Sequence, residues 1–262
     1  MTTPLVVLGA GGKLGRLLSR AWPADVVQFT RTELDLTDRG ALTQALSGAR
    51  AVLCLAGVTH GADKPMSLNV TLAQHTLDAA AQANCGRVML ASSAAVYGRQ
   101  PGSLTEDTAP APLADYGRAK VEMEQMAARH PHPNTCLRIG NVAGADAILG
   151  GWRPGFELDV LDSGTTPQRS YIGPRTLVRV IHALAMVDDL PPVINVATPG
   201  VVAMGDLLDT AGLTWSPRTP KGEITAKVTL DTARLSTFIG WQPQDSTAPG
   251  MVREWKELTA RT

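Results

Sequence analysis

The sequence predicts a doubly wound α/β fold: a parallel sheet with helices on both faces, followed by a smaller, less regular C-terminal lobe. Three observations predict it. Short runs of continuous apolar residues recur through the first two thirds of the chain, as strands buried on both faces require. Longer helical patterns alternate with them, as crossovers between parallel strands do. A glycine-rich segment, Gly9 to Gly15, lies where the first apolar run meets the first helical one.

The elements follow in order. Leu5 to Leu8 is a first strand and Lys13 to Ala21 a helix; Val26 to Phe29 is a second strand and Leu34 to Leu36 a short third. A helix over Arg39 to Ser47 opens on the capping residues Thr37 and Asp38. Ala51 to Leu55 is a fourth strand, and a long helix runs from about Met66 to Ala83 with Leu68, Leu72, Leu77 and Ala81 along it. Arg87 to Ala91 is a fifth strand, Asp115 to Arg129 a helix, and Thr135 to Ile139 a sixth strand. Beyond Gly140, glycine and proline cluster, and only helices near Thr176 to Met186 and Met204 to Gly212 and a strand at Val193 to Val196 stand out. The expected division is a core of residues 1–145 and a lobe of residues 146–262, mostly separate, with some segments returning to the core sheet. That lobe is expected over the carboxyl ends of the strands, where such folds bind ligands.

Composition narrows the function. Residues are 44% hydrophobic, 18% charged and only 4% aromatic, ordinary for a globular chain with an aliphatic core. Twenty-four basic residues balance twenty-four acidic ones without a basic run, so neither nucleic acid nor an anionic membrane is expected as a partner. No apolar stretch approaches the roughly 20 residues that span a bilayer, and the start, Met1 to Pro4, lacks the charged region of a secretory signal. Three cysteines (Cys54, Cys85 and Cys136) read as reduced thiols, which fits a cytoplasmic location. The histidines show no metal spacing; His130 and His132 flank prolines, and no metal is expected.

Gly9, Gly12 and Gly15 give the spacing G-x-x-G-x-x-G between strand and helix. Gly9 permits the tight turn, Gly12 lets backbone approach a pyrophosphate, and Gly15 allows close helix–sheet packing, so the core is expected to bind a dinucleotide. Lys13 and Leu14 open the helix whose free N–H groups would meet the phosphates. An NAD site usually ends its second strand in Asp or Glu; this strand ends Phe29-Thr30-Arg31. Arg31 suits a 2′-phosphate and Lys13 is expected to add a second charge, so NADP is favoured over NAD.

Tyr116 and Lys120 are four apart on a helix and share a face. A phenol with pKa about 10 is a poor base at neutral pH. A nearby ammonium and an oxidised nicotinamide favour the phenolate, and a lowering by about 3 units corresponds to ~4 kcal/mol. Ser92 and Ser93 close the fifth strand, where a hydroxyl faces the ligand crevice and can polarise a substrate oxygen.

With glycines 9, 12 and 15, Ser92-Ser93-x-x-Val96-Tyr97-Gly98 and Tyr116/Lys120, the chain resembles the extended short-chain dehydrogenase/reductase family, NAD(P)-dependent enzymes that include nucleotide-sugar epimerases, dehydratases and reductases. The likeness continues through Leu55-Ala56-Gly57, Asn69-Val70, Leu137 to Val142, Arg169-Ser170-Tyr171-Ile172, Ile194 to Ala197 and Gly240-Trp241-Gln242-Pro243, and so covers nearly the whole chain. It implies a Rossmann core with a small C-terminal substrate-binding lobe. It also implies Ser93, Tyr116 and Lys120 as catalytic residues, with Ser92 behind Ser93 on the substrate side. Asp35 and Leu36 match the segment lining the adenine pocket. Leu55, Ala56 and Gly57 match the backbone passing the nicotinamide ribose, with Ile139 also on the cofactor side. Asn141 matches a substrate contact, Arg169 an arginine that contacts a nucleotide diphosphate, and the helices 66–83 and 115–129 match the surfaces of a homodimer. The chain departs from the pattern in its short C-terminal third and in Gly173 and Pro174, which stand where the family usually carries acidic residues. A smaller sugar, lactone or ketone therefore stands beside a nucleotide sugar as candidate substrate. The expected function is an NAD(P)(H)-dependent oxidoreductase or epimerase acting on a carbonyl or secondary alcohol of a sugar-like substrate. The alternative is a non-catalytic dinucleotide-binding sensor or regulatory subunit.

Overall fold

The structure, a computed structural model, describes residues 5–59 and 64–260. In chain order the first half comprises β1 (Leu5–Leu8), α1 (Lys13–Leu18), β2 (Val27–Phe29), α2 (Arg39–Leu46), β3 (Ala51–Cys54), α3 (Leu68–Gln82), β4 (Arg87–Ser93), β5 (Ser103–Leu104), α4 (Asp115–Arg129) and β6 (Asn134–Ile139). The second half comprises β7 (Asn141–Val142), β8 (Glu157–Asp159), β9 (Gln168–Arg169), β10 (Tyr171–Ile172), α5 (Pro174–Ala185), β11 (Val193–Val196), β12 (Val202–Ala203), α6 (Met204–Ala211), β13 (Ser216–Arg218), β14 (Lys227–Leu230), α7 (Ala233–Ser236) and α8 (Ala248–Thr259).

Six strands form one sheet in the order β11-β6-β4-β3-β1-β2, every pair parallel. This is the Rossmann arrangement that the sequence predicts. Alternation along each strand divides the core. Val7, Leu53, Met89, Leu137 and Ile194 pack with α1 and α5 on one face; Val6, Val52, Leu90 and Cys136 pack with α2, α3 and α4 on the other. Strand order reverses around β1, with β2 on one side and β3 on the other, and the crevice beyond the carboxyl ends of these strands is where such sheets bind ligands.

Leu34 to Leu36 is not a strand. Glu33 accepts hydrogen bonds from the Thr30 N–H and hydroxyl, and Asp35 accepts them from the Thr37 N–H and hydroxyl. These local bonds give the backbone successive turns in place of a ladder. The first helix also ends sooner than its apolar pattern suggests, at Leu18.

The C-terminal part divides its loyalties. Strand β11 adds to the main sheet beside β6, and α5 buries Leu177, Val178, Val180, Ile181 and Leu184 against it, about 1.5–3 kcal/mol for each large side chain. The rest builds a separate core where α6 and α8 meet, from Leu158, Leu207, Leu208, Met251 and Val252 with Trp152, Phe156, Trp215 and Trp255 packed against them. Helix α5 starts at Pro174 behind Gly173, which has no capping side chain. Glu254 of α8 fills that role from across the fold. Its carboxylate accepts from the Arg175 and Thr176 N–H groups at 2.9 and 3.0 Å and from the Thr176 hydroxyl at 2.7 Å. A Cβ on Gly173 would come 2.2 Å from this carboxylate. The acid absent from positions 173 and 174 is thus replaced in space by one 80 residues later.

Candidate active site

The glycine turn follows β1. Gly9 has φ +87°, where a side chain is strained, and a Cβ there would meet the Ala56 nitrogen at 2.6 Å. A Cβ on Gly15 would come within 2.5 Å of the Gly9 carbonyl oxygen, so its absence is what lets α1 lie against the turn. Gly12 differs: at φ −72° its Cβ would meet only the Gly9 oxygen, at 3.4 Å. The fold tolerates a side chain at Gly12, and the space it would take belongs to the crevice.

That crevice is a cavity of about 550 Å³ lined by the glycine turn after β1, Thr30 to Thr37 after β2, Leu55 to Val58 after β3, and Leu68 and Leu72 of α3. Gly9, Gly12, Arg31, Asp35, Leu36, Leu55, Ala56 and Gly57 of the sequence reading all line it. Thr30, Thr32, Lys64, Leu68 and Leu72 join them unforeseen; the only signal was the helical spacing of Leu68 and Leu72. Arg31 is exposed at the rim, where its charge also acts on the Asp35 carboxylate. The residues fit a dinucleotide: a largely apolar slot beside a turn whose glycines leave backbone bare.

The slot ends at the catalytic candidates. Gly57 lies so close to Lys120 that its Cβ would be 3.5 Å from Nζ and 2.5 Å from Asn69 Oδ1. Asn69 is itself buried, exchanging hydrogen bonds with the Val58 N–H and carbonyl and so holding the loop after β3. Tyr116 and Lys120 occupy successive turns of α4. Gly117 lets that helix approach the turn after β4, since a Cβ there would meet the Ala95 carbonyl oxygen at 2.6 Å. This approach brings the Tyr116 hydroxyl into a hydrogen bond with Ser93, whose Oγ also accepts the Ala95 N–H at 3.2 Å. Lys120 Nζ stands 5.8 Å from the centre of the Tyr116 ring and donates to the Ala91 carbonyl at 2.7 Å.

Burial dominates the electrostatics of Tyr116 and Lys120 here. It raises the Tyr116 pKa, and the bond from Ser93 offsets only part of the rise. Burial also brings Lys120 down to about 8, against the pull of Cys54, Cys136 and Glu124. Burial by itself therefore keeps Tyr116 as the phenol at neutral pH, a proton donor.

Ser92 faces away from Ser93 across the pleat. Its Oγ donates to Glu124, which pairs with the buried Arg138 at 2.7 Å; Arg138 donates in turn to the Tyr97 hydroxyl, and Tyr97 to Asn195. This buried chain ties α4 to β4, β6 and β11, so Ser92 supports the site from behind instead of touching substrate. Lys13 also departs from expectation. It does not line the cavity; its Nζ donates to the Asp146 carbonyl at 2.9 Å, beyond β7. Leu14 and Ile139 pack into the core beneath the crevice. Asn141 sits at the start of β7 in register with Tyr171 of β10, whose hydroxyl donates to Asp146 at 2.8 Å. Arg169 is half-buried in β9, donates to the Gln168 carbonyl, and faces no carboxylate among the described residues. No three metal-ligating side chains gather among the described residues, and none of their helices is long and apolar enough to cross a membrane.

A parallel six-stranded sheet with a glycine turn and a Ser–Tyr–Lys cluster at its carboxyl edge defines a class of dinucleotide-dependent enzymes. The chain belongs to the NAD-dependent epimerase/dehydratase family, whose model matches residues 5–154, more than half of it. Over 189 residues, 61% of the chain, it is 29% identical to protein y4nG of Sinorhizobium fredii (strain NBRC 101917 / NGR234), and the match spans about half, 48%, of that relative's length. Among solved structures it is similar to UDP-glucose 4-epimerase from Brucella ovis in complex with NAD, at TM-score 0.78 and 20% identity over 95% of this chain and 96% of that one. It is also similar to UDP-glucuronic acid 4-epimerase from Bacillus cereus in complex with UDP-glucuronic acid and NAD, at TM-score 0.74 and 19% identity over 97% and 98%. At these identities the structural likeness is one of fold.

Proposed function

We propose that the protein is an NADP(H)-preferring oxidoreductase or epimerase that acts on a carbonyl or secondary alcohol of a sugar or nucleotide sugar. The observation that carries the reading is the Tyr116 hydroxyl beside Ser93 with the Lys120 ammonium behind it, next to Gly57 of the slot that begins at the glycine turn. A bound nicotinamide supplies hydride exchange. Tyr116 gives its proton to the developing alkoxide in the reducing direction and takes it back in the oxidising one. Ser93 hydrogen-bonds the same oxygen. Lys120 holds positive charge beside the phenol and favours the phenolate once the proton has left.

Arg31 at the rim supports NADP over NAD: an exposed guanidinium lines the slot just after β2, where that strand ends without an acid. A guanidinium there suits a 2′-phosphate. Half-buried Arg169 supports an anionic group on the substrate, as a nucleotide diphosphate provides. UDP-glucose and UDP-glucuronic acid are the first compounds to test, beside smaller sugar lactones and ketones. The reading predicts that Tyr116→Phe loses turnover by about 10²–10⁴-fold, the usual worth of a positioned acid–base group, while binding NADP⁺ as before. Unchanged turnover in that variant refutes the mechanism, and tighter binding of NAD⁺ than NADP⁺ refutes the role of Arg31.

A further inference from the structure

Lys13 directly follows Gly12, yet its side chain leaves the adenosine slot and crosses to a turn 133 residues away in sequence. That turn is tightly organised. Asp146 accepts the Leu149 and Gly150 N–H groups on Oδ1 at 3.1 and 3.2 Å and the Tyr171 hydroxyl on Oδ2 at 2.8 Å. Tyr171 of β10 stands in register with Asn141 of the neighbouring strand β7. A path of hydrogen bonds thus runs from the glycine turn through Lys13 and Asp146 to Tyr171, and the pairing of β10 with β7 carries it to Asn141.

We propose that Lys13 is a positioning residue that couples occupancy of the dinucleotide site to the substrate side of the cleft through Asp146, Tyr171 and Asn141. The inference rests on the dinucleotide reading of the glycine turn. An ammonium has three donors, and the Asp146 carbonyl takes one of them. Lys13 is exposed, so this single bond gains little beyond the rotamer freedom it costs. A cofactor diphosphate over Gly11 and Gly12 engages the remaining donors with charge-assisted bonds and holds the side chain in place. The 143–150 turn is then pinned, and Asn141 with it. Since both NAD and NADP carry the diphosphate, Lys13 serves either equally, which separates it from Arg31.

The test combines dinucleotide titration with hydrogen exchange over residues 143–150, using NADP⁺ and NAD⁺ as probes. In the native protein NADP⁺ should slow exchange in this turn by about fivefold or more, the lower end of ordinary coupling between sites. Lys13→Met should bind both dinucleotides about tenfold more weakly with their ratio unchanged, and at saturation should show no slowing at 143–150. Lys13→Arg should retain both effects. Slowing that persists in saturated Lys13→Met overturns the coupling, and so does a changed NADP⁺/NAD⁺ ratio, which would make Lys13 a reader of the 2′-phosphate. A native protein that binds neither dinucleotide overturns the functional reading and this inference together; a native protein that binds them while Lys13→Met behaves identically overturns the coupling alone.

Discussion

The start of α5 offers a quantitative test of how the fold is held. Glu254→Ala removes the acceptor for two backbone N–H groups and one hydroxyl, all part-buried or buried. Hydrogen bonds to a charged group contribute about 1.5–3 kcal/mol each, and a helix cap about 1–2 kcal/mol as a unit, so a loss of about 3–5 kcal/mol follows. For a chain of 262 residues the unfolding entropy is about 0.55 kcal/mol/K, which makes the loss a fall in Tm of roughly 5–9 °C. Glu257→Ala is the control. It breaks only the exposed pair with Arg175, worth about 0–1 kcal/mol, and should move Tm by less than about 2 °C. A second chain variant sharpens the argument. Gly173 already has the extended backbone of a capping residue, φ −69° and ψ 150°. Gly173→Asp alone should destabilise, because its Cβ runs into Glu254. Combined with Glu254→Ala, the same aspartate has room and can cap α5 directly, recovering about 1–2 kcal/mol. Thermal unfolding of the four proteins measures this cycle. A Glu254→Ala loss no larger than that of Glu257→Ala, or a double variant no more stable than Glu254→Ala, would refute the reasoning.

Three further outcomes follow from the site. Gly12→Ala should fold with nearly unchanged Tm yet bind NADP⁺ at least about tenfold more weakly, or ~1.4 kcal/mol, whereas Gly15→Ala should cost about 1–3 kcal/mol of stability through overpacking; titration and melting together separate the two glycines. Between about pH 8 and 10.5 the unfolded chain retains a proton that folded Lys120 has lost, so stability relative to Lys120→Met should rise across this window. Melting difference curves without a cofactor check it, and a flat difference would count against the buried ammonium. Burial pushes the Cys85 thiol up to about 11 and Cys136 up to about 12, and raises Cys54 as well. The native protein should therefore react with an aromatic disulfide reagent at pH 8 only as fast as it unfolds; rapid release of one equivalent would show an accessible thiolate.

What the sequence revealed was local in origin. Apolar runs and helical spacings specify the six sheet strands, and the i, i+4 relation of Tyr116 and Lys120 needs only a helix to be meaningful. The glycine turn was legible because its spacing falls within one strand–turn–helix unit, although the contact that demands Gly9 comes from Ala56 after β3. Ser92 and Ser93 show where that reasoning stops. Alternate residues of β4 face opposite layers, but both layers are apolar, so no polarity in the run told which serine faces the cleft. The remaining surprises are partnerships across the chain: Lys13 with Asp146, Arg138 with Glu124, Glu254 with the start of α5. Nothing in local propensity marks them, because each depends on where two distant elements meet.

The placement of α5 and β11 has a consequence for anyone wishing to retarget this scaffold. A recombinant chimera made by swapping everything after β6 for a homologue's tail would also swap the outermost sheet strand and the helix that seals one face of the sheet. Such a junction imports foreign packing partners into the central sheet. New recognition surface has to respect three stretches at once, residues 143–170, 197–230 and α8, because their side chains share one small core. The lobe is a set of returns to a sheet that remains one piece.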